Sequence, residues 1–347
     1  MSLRRELRAA GGFVFGLVGL FLAYVHRGDL LVAPFAVLGA ALLLGSALAI
    51  RERPRVASRA WRWSRRALTV VTALVVLAFV VTPISAAVWV TQAPRETVRP
   101  FDLVHQDVSL HTRDGLRLAA WYVPSRNGAA VVVVHGGGGT RNGSERHARM
   151  LARAGYGVLL YDARGNGESE GRHDAMGWTW EPDVAAAVDF LSRRPDVRGR
   201  VGAVGISTGA EAVLQAAARD DKIAAVVSDG AIARNLAETR QLAGAEELQA
   251  VPYYGILVAT IRTLTGTHQP PPLQQLVPAI APRPVLLIAT GEGTEQAMNR
   301  AYHRAAPVTE LWELPRIGHT LGLRDAPAAY ARRVIRFLDA ALLHLGA

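Results

Sequence analysis

Five short apolar runs constrain the fold of this chain most: Ala129 to Val134, Gly157 to Tyr161, Val201 to Val204, Ile223 to Val227 and Pro284 to Ile288. Each is continuous and rich in aliphatic residues, with no polar alternation, as strands buried on both faces of a parallel sheet are. Between them lie stretches with helical spacing, Glu145 to Ala154, Glu181 to Ser192 and Thr208 to Ala218. A last one starts at Pro327, a residue suited to a first helical position, and runs to Leu345. Strands alternating with helices require crossover connections, so residues 94–347 are expected to form an α/β domain, a mostly parallel sheet flanked by helices. Asp107 to His111 and Leu116 to Val123 alternate about Asp114-Gly115, which predicts an opening β-hairpin.

The first 93 residues have another texture. Gly11 to Val25, Leu30 to Ile50 and Ala67 to Val90 are apolar and free of charge. A bilayer core takes about 20 such residues per helix, so the sequence predicts a transmembrane anchor over 1–93 with spans at about 9–27, 30–50 and 67–91. Eleven arginines against three acidic residues place eight of the ten net positive charges in this segment. Three precede the first run and seven fill the linker from Arg51 to Arg66. Positive loops stay cytoplasmic, which predicts a multi-pass protein of the cell membrane with its amino terminus inside and the α/β domain outside. The rest of the chain carries a net charge of only +2, too little for a basic nucleic-acid stripe. Cysteine is absent, so thiolate chemistry and disulfides are excluded.

Chemistry enters at Gly205-Ile206-Ser207-Thr208-Gly209, a G-x-S-x-G pattern between an expected strand and an expected helix. That context forces a serine hydroxyl out above the sheet edge at a helix amino terminus, where N–H groups favour a developing oxyanion. Upstream, the strand ending at Val134 runs into His135-Gly136-Gly137-Gly138-Gly139, whose backbone can approach a substrate oxygen without side-chain obstruction. The N–H groups of Gly137 and Thr208 are the expected oxyanion hole, with Gly138 as the alternative donor, and His135 is expected to order the loop. A serine nucleophile needs a base and an acid to orient it. His319, in a loop after the run Glu310 to Leu314 and before the last helix, is the expected base. Glu295 is the expected acid, because the turn at Gly291 and Gly293 calls for a side chain that reaches, with Glu292 and Asp229 as alternatives. No metal-ligand spacing or dinucleotide fingerprint occurs, so neither metal nor cofactor is expected.

Val131-Val-Val-Val-His-Gly-Gly-Gly-Gly, Tyr161-Asp-Ala-Arg-Gly-Asn-Gly-Glu-Ser, Gly205-Ile-Ser-Thr-Gly and Gly318-His319, in that order, resemble the α/β-hydrolase superfamily over roughly residues 105–345. Within it the chain is similar to membrane-anchored α/β-hydrolase-domain proteins, to actinobacterial serine hydrolases and to prolyl-oligopeptidase-like enzymes. The resemblance implies the α/β-hydrolase fold and the serine, histidine and oxyanion assignments, and makes Asp162, Arg164 and Gly165 framework residues. One departure stands out: the acid position after the strand ending near Thr290 most often holds aspartate, and here it offers glutamates. The expected activity is hydrolysis of a carboxylic ester, small-molecule or lipid, through an acyl-enzyme. The alternatives are a prolyl-oligopeptidase-like serine peptidase and a non-catalytic anchored binding protein on the same scaffold. Residues 231–282 form a long insertion, expected as a cap, whose apolar stretch from Val251 to Ile261 could roof an acyl pocket, face lipid, or form a plain core helix.

Overall fold

The computed structural model describes residues 77–343 apart from 175, 243–250 and 292, with 63, 66, 70 and 73 as isolated positions. By its contacts the chain divides into two compact units, 93–248 with 267–347, and 1–92 with 249–266.

In the larger unit the hairpin forms as the sequence predicts. β1 (Gln106–His111) and β2 (Arg117–Val123) pair antiparallel about Gly115, which takes a φ of +86° and donates to the Thr112 carbonyl at 2.9 Å. Six strands follow: β3 (Ala130–Val134), β4 (Gly157–Tyr161), β5 (Val201–Ile206), β6 (Ile223–Asp229), β7 (Val285–Thr290) and β8 (Glu310–Leu314). The eight strands lie in the order β1-β2-β4-β3-β5-β6-β7-β8. Pairing is antiparallel from β1 through β2 to β4 and parallel across all the others, a mixed sheet.

The continuous apolar runs are explained by the two faces they fill. On β3, Val132 and Val134 point into one core with Leu159, Ala187 and Leu214, while Val131 and Val133 point into a second core with Leu160, Val204 and Leu286. The first core is covered by α3 (Glu181–Ser192), α4 (Thr208–Ala217) and α7 (Gly293–Ala305), the second by α2 (Glu145–Arg153) and α8 (Pro327–Leu342). Buried on both faces, every β3 side chain is fully shielded, so no position can be polar.

Helix α1 (Thr82–Gln92) and helix α6 (Val251–Thr265) belong to the smaller unit and pack on each other. The expected spans at 9–27 and 30–50 lie outside the described residues, as do residues 67–69, 71–72 and 74–76 of the third run. What is described of that third run is a π-type turn, Leu77–Val81, and then α1. No helix among the described residues is long and apolar enough to cross a membrane. The three-span anchor and the multi-pass placement with an external domain are therefore corrected. The physical reason is visible in α1, where Ala87 and Val88 are buried in a helix that packs on α6. Residues 231–282 carry α5 (Leu236–Leu242) as well as α6, and α6 buries Leu257 and Ile261.

Candidate active site

Ser207 sits between the last residue of β5 and the first of α4, with φ 53° and ψ −121°. A side chain in this left-handed region is strained, and such strain persists only where the surroundings enforce it. Enforcement comes from both ends. The Ser207 N–H donates to the Asp229 carbonyl at 2.8 Å, and its own carbonyl accepts from the Ala210 N–H at 2.7 Å. The flanking glycines are required by contact: a Cβ on Gly205 would overlap the Gly209 carbonyl, and one on Gly209 would overlap the Val134 and His135 carbonyl oxygens. Strand and helix thus meet too closely for any side chain but hydrogen.

His319 arrives from the loop after β8. Its Nε2 lies 2.9 Å from Ser207 Oγ, and its Nδ1 lies 2.6 Å from Glu295 Oε2. Glu295 is 2 % exposed, and its other oxygen accepts the Thr290 N–H at 2.7 Å. With Glu295 accepting, Nδ1 carries the proton and Nε2 is left to accept from the serine hydroxyl. The loop is braced where it meets the sheet: Gly291 donates to the Ile317 carbonyl at 3.0 Å, and a Cβ on Gly291 would overlap Pro315. Thr320, next to His319, has φ 56° and is with Ser207 the only non-glycine residue of positive φ among the described residues.

The sequence places Glu295 in a turn, whereas it stands in the first turn of α7, which starts at Gly293. Its reach therefore comes from a helix that swings it back over the end of β7. Glu292 lies outside the described residues. Asp229 ends β6 and is fully buried, but its Oδ2 accepts from the Tyr330 hydroxyl at 2.6 Å and it makes no hydrogen bond to His319. Tyr330 has no local signal in the sequence, because its hydroxyl meets Asp229 only through packing of the last helix on the sheet.

The glycine loop is held by His135, which is 1 % exposed. The Ala163 N–H donates to its Nε2 at 3.0 Å, so Nδ1 carries the proton and donates to the Gly136 carbonyl at 2.7 Å. Burial pushes this imidazole below the ordinary histidine range, in keeping with a neutral ring. A trans peptide points its N–H opposite to its C=O, so fixing the Gly136 carbonyl toward His135 turns the Gly137 N–H away from it. A Cβ on Gly136 would stand 3.5 Å from Ser207 Cβ, which brings the loop to the serine. Gly138, at φ +71°, makes the following turn. The three framework residues are structural. Asp162 accepts the Arg141 N–H at 2.7 Å and the Glu168 N–H at 2.9 Å, Arg164 forms ion pairs with Asp183 at 2.6 Å and Asp114 at 2.7 Å, and a Cβ on Gly165 would overlap Arg172.

One turn beyond Ser207, Glu211 is buried, and burial pushes its carboxyl up to about 8. A folded-state value above the unfolded one means that the native protein binds this proton more tightly. The group's contribution is complete below pH about 4.3 and is lost as pH rises toward 8. Glu211→Gln should therefore raise the thermal midpoint at pH 8 relative to wild type and leave it nearly unchanged at pH 4.5, as a pH series of melting curves would report.

Residues 88–328, more than two thirds of the chain, match the family model for X-Pro dipeptidyl-peptidase, S15 family. The chain belongs to the S15 family. The eight-stranded mixed sheet of this S15 protein is that of the α/β-hydrolase fold. It is 38% identical over 109 residues to an uncharacterized protein of Mycobacterium tuberculosis, a match covering 30% of this chain and 38% of the relative's length. Among solved structures, an esterase of Pyrococcus furiosus superposes with a TM-score of 0.57 at 23% identity, covering 72% of this chain and 97% of the esterase. A dienelactone hydrolase of Anabaena variabilis superposes with a TM-score of 0.50 at 23% identity, covering 69% of this chain and 98% of that enzyme. At such identities the likeness is one of fold.

Proposed function

We propose that this S15 protein is a serine hydrolase of carboxylic esters with Ser207 as nucleophile, His319 as base and Glu295 as the acid that orients it. The observation that carries the reading is the unbroken relay from Ser207 Oγ through His319 to Glu295, at 2.9 Å and 2.6 Å. His319 Nε2 takes the hydroxyl proton as Oγ attacks the carbonyl carbon, and the imidazolium is stabilised by Glu295. The oxyanion rests on the N–H groups of Thr208 and Gly137, the second oriented by His135. The imidazolium returns its proton to the departing alkoxide, and a water deprotonated by His319 then cleaves the acyl-enzyme. The substrate class is a small-molecule or lipid ester.

The family match supports a second reading, release of an X-Pro dipeptide from a peptide amino terminus. The two separate in one experiment: kcat/KM for p-nitrophenyl butyrate against X-Pro p-nitroanilides, alongside labelling with a fluorescent fluorophosphonate. Labelling with ester turnover and inert anilides is the expected result. Preference for the anilides moves the assignment to peptidase, and a folded protein that neither labels nor turns over either substrate fits a binding protein on a hydrolase scaffold.

A further inference from the structure

The sheet edge beside His319 holds two carboxylates, and the relay uses one. Asp229 lies opposite Ile206 of β5 and Ile288 of β7 in the strand register, and its carbonyl accepts the Ser207 N–H at 2.8 Å. Gly230 follows with φ +79°, and a Cβ there would fall 3.1 Å from His319 Cε1 and 3.3 Å from Nδ1. The chain leaving Asp229 thus runs along the edge of the imidazole that also faces Glu295. The carboxyl group itself is fully buried; Oδ2 accepts from Tyr330, and Oδ1 has no hydrogen-bond partner. Supporting the tyrosine hydroxyl needs only a neutral acceptor such as an amide. A second carboxylate oxygen buried without a partner costs stability and calls for another reason to be there.

We propose that Asp229 is a second carboxylate support of His319, a positioning residue whose charge acts with that of Glu295 to stabilise the ring's cation. The inference rests on the catalytic reading of Ser207 and His319. Four titratable groups bear on Asp229: Tyr330 from α8, Glu295 from α7, His319 from its loop and, behind the tyrosine, His147 from α2, whose Nε2 is 3.3 Å from the Tyr330 hydroxyl. Burial holds Tyr330 well above the ordinary phenol range and pushes His147 down to about 4, so both stay neutral near pH 7. The groups left to couple with Asp229 are Glu295 and His319. Burial pushes the Asp229 carboxyl up to about 7; the Glu295 charge adds to the rise and the His319 charge opposes it. Its ionisation therefore falls in the range where an imidazole base works.

The test is the pH dependence of kcat and KM for p-nitrophenyl butyrate in wild type, Asp229→Asn, Glu295→Gln and the double variant. Asp229→Asn keeps an acceptor for Tyr330, and should lower kcat several-fold at unchanged KM and move the acid limb of kcat/KM to lower pH by about half a unit. Glu295→Gln should lose about 10²-fold, and the double variant about 10⁴-fold, the loss ordinarily seen when a triad acid is neutralised. Should Asp229→Asn fail to fold, Glu295→Gln alone decides: a loss near 10²-fold supports the second carboxylate, and a loss of about 10⁴-fold overturns it. An Asp229→Asn profile that superimposes on wild type, with a double variant no slower than Glu295→Gln, also overturns it while leaving the serine hydrolase reading intact. A wild type that neither labels nor hydrolyses the ester overturns both.

Discussion

Ser207→Ala is expected to lower kcat for p-nitrophenyl butyrate by about 10⁵- to 10⁶-fold and to abolish fluorophosphonate labelling, with KM changed little. The size follows from how a nucleophile and its base act as a unit: removing one leaves only the rate gain of the oxyanion hole and of binding. Stability should part company with activity at this position. Ser207 is held at φ 53°, and alanine inherits that strain because it too carries a Cβ. Ser207→Gly removes the penalty, and should melt higher than Ser207→Ala by the equivalent of about 1 kcal/mol while being equally inactive. Parallel measurements of kcat and thermal midpoint on the two variants check both halves. A Ser207→Ala protein with residual activity within tenfold of wild type would sink the assignment.

Much of this was readable because local rules and the final packing agree. G-x-S-x-G after a β-rich run encodes a strand, a turn and a helix within about ten residues, and β5, Ser207 and α4 stand in that order. The β3 to β7 runs were readable for a similar reason, since strands covered on both faces leave few polar positions to obscure them. The acid was harder. Gly291 and Gly293 read as a turn, yet Gly291 is fixed by Pro315 and Ile317 across a loop distant in sequence, and Gly293 begins α7. Which carboxylate meets His319 depends on how that helix is set against the sheet, a tertiary matter. The membrane expectation failed for a related reason: a hydropathy run records that residues avoid water, not what shields them. Part of the third run forms α1, whose apolar partner α6 lies some 160 residues further along the chain.

If the site depends on how closely β5 and α4 approach, the glycine before Ser207 should matter almost as much as the serine. Gly205→Ala would set a methyl group against the Gly209 carbonyl and 2.5 Å from Ala210 Cα, all backbone of the first turn of α4. No rotamer change relieves that overlap, so the helix amino terminus has to move away from the sheet. Overpacking of this kind costs about 3 kcal/mol, and the displacement carries Ser207 Oγ away from His319. Misplacing a reacting atom by about 1 Å costs on the order of 10²-fold in rate, so kcat should fall by that factor in whatever protein remains folded. Gly136→Ala is the matched control. Its methyl group would lie 3.5 Å from Ser207 Cβ, an ordinary contact, and the thermal midpoint should drop by the equivalent of less than about 1 kcal/mol. Equal midpoints for the two variants would mean that the close approach of strand and helix is not what fixes the serine. A collapse confined to Gly205→Ala would tie the nucleophile's position to a place in the sheet where only hydrogen fits.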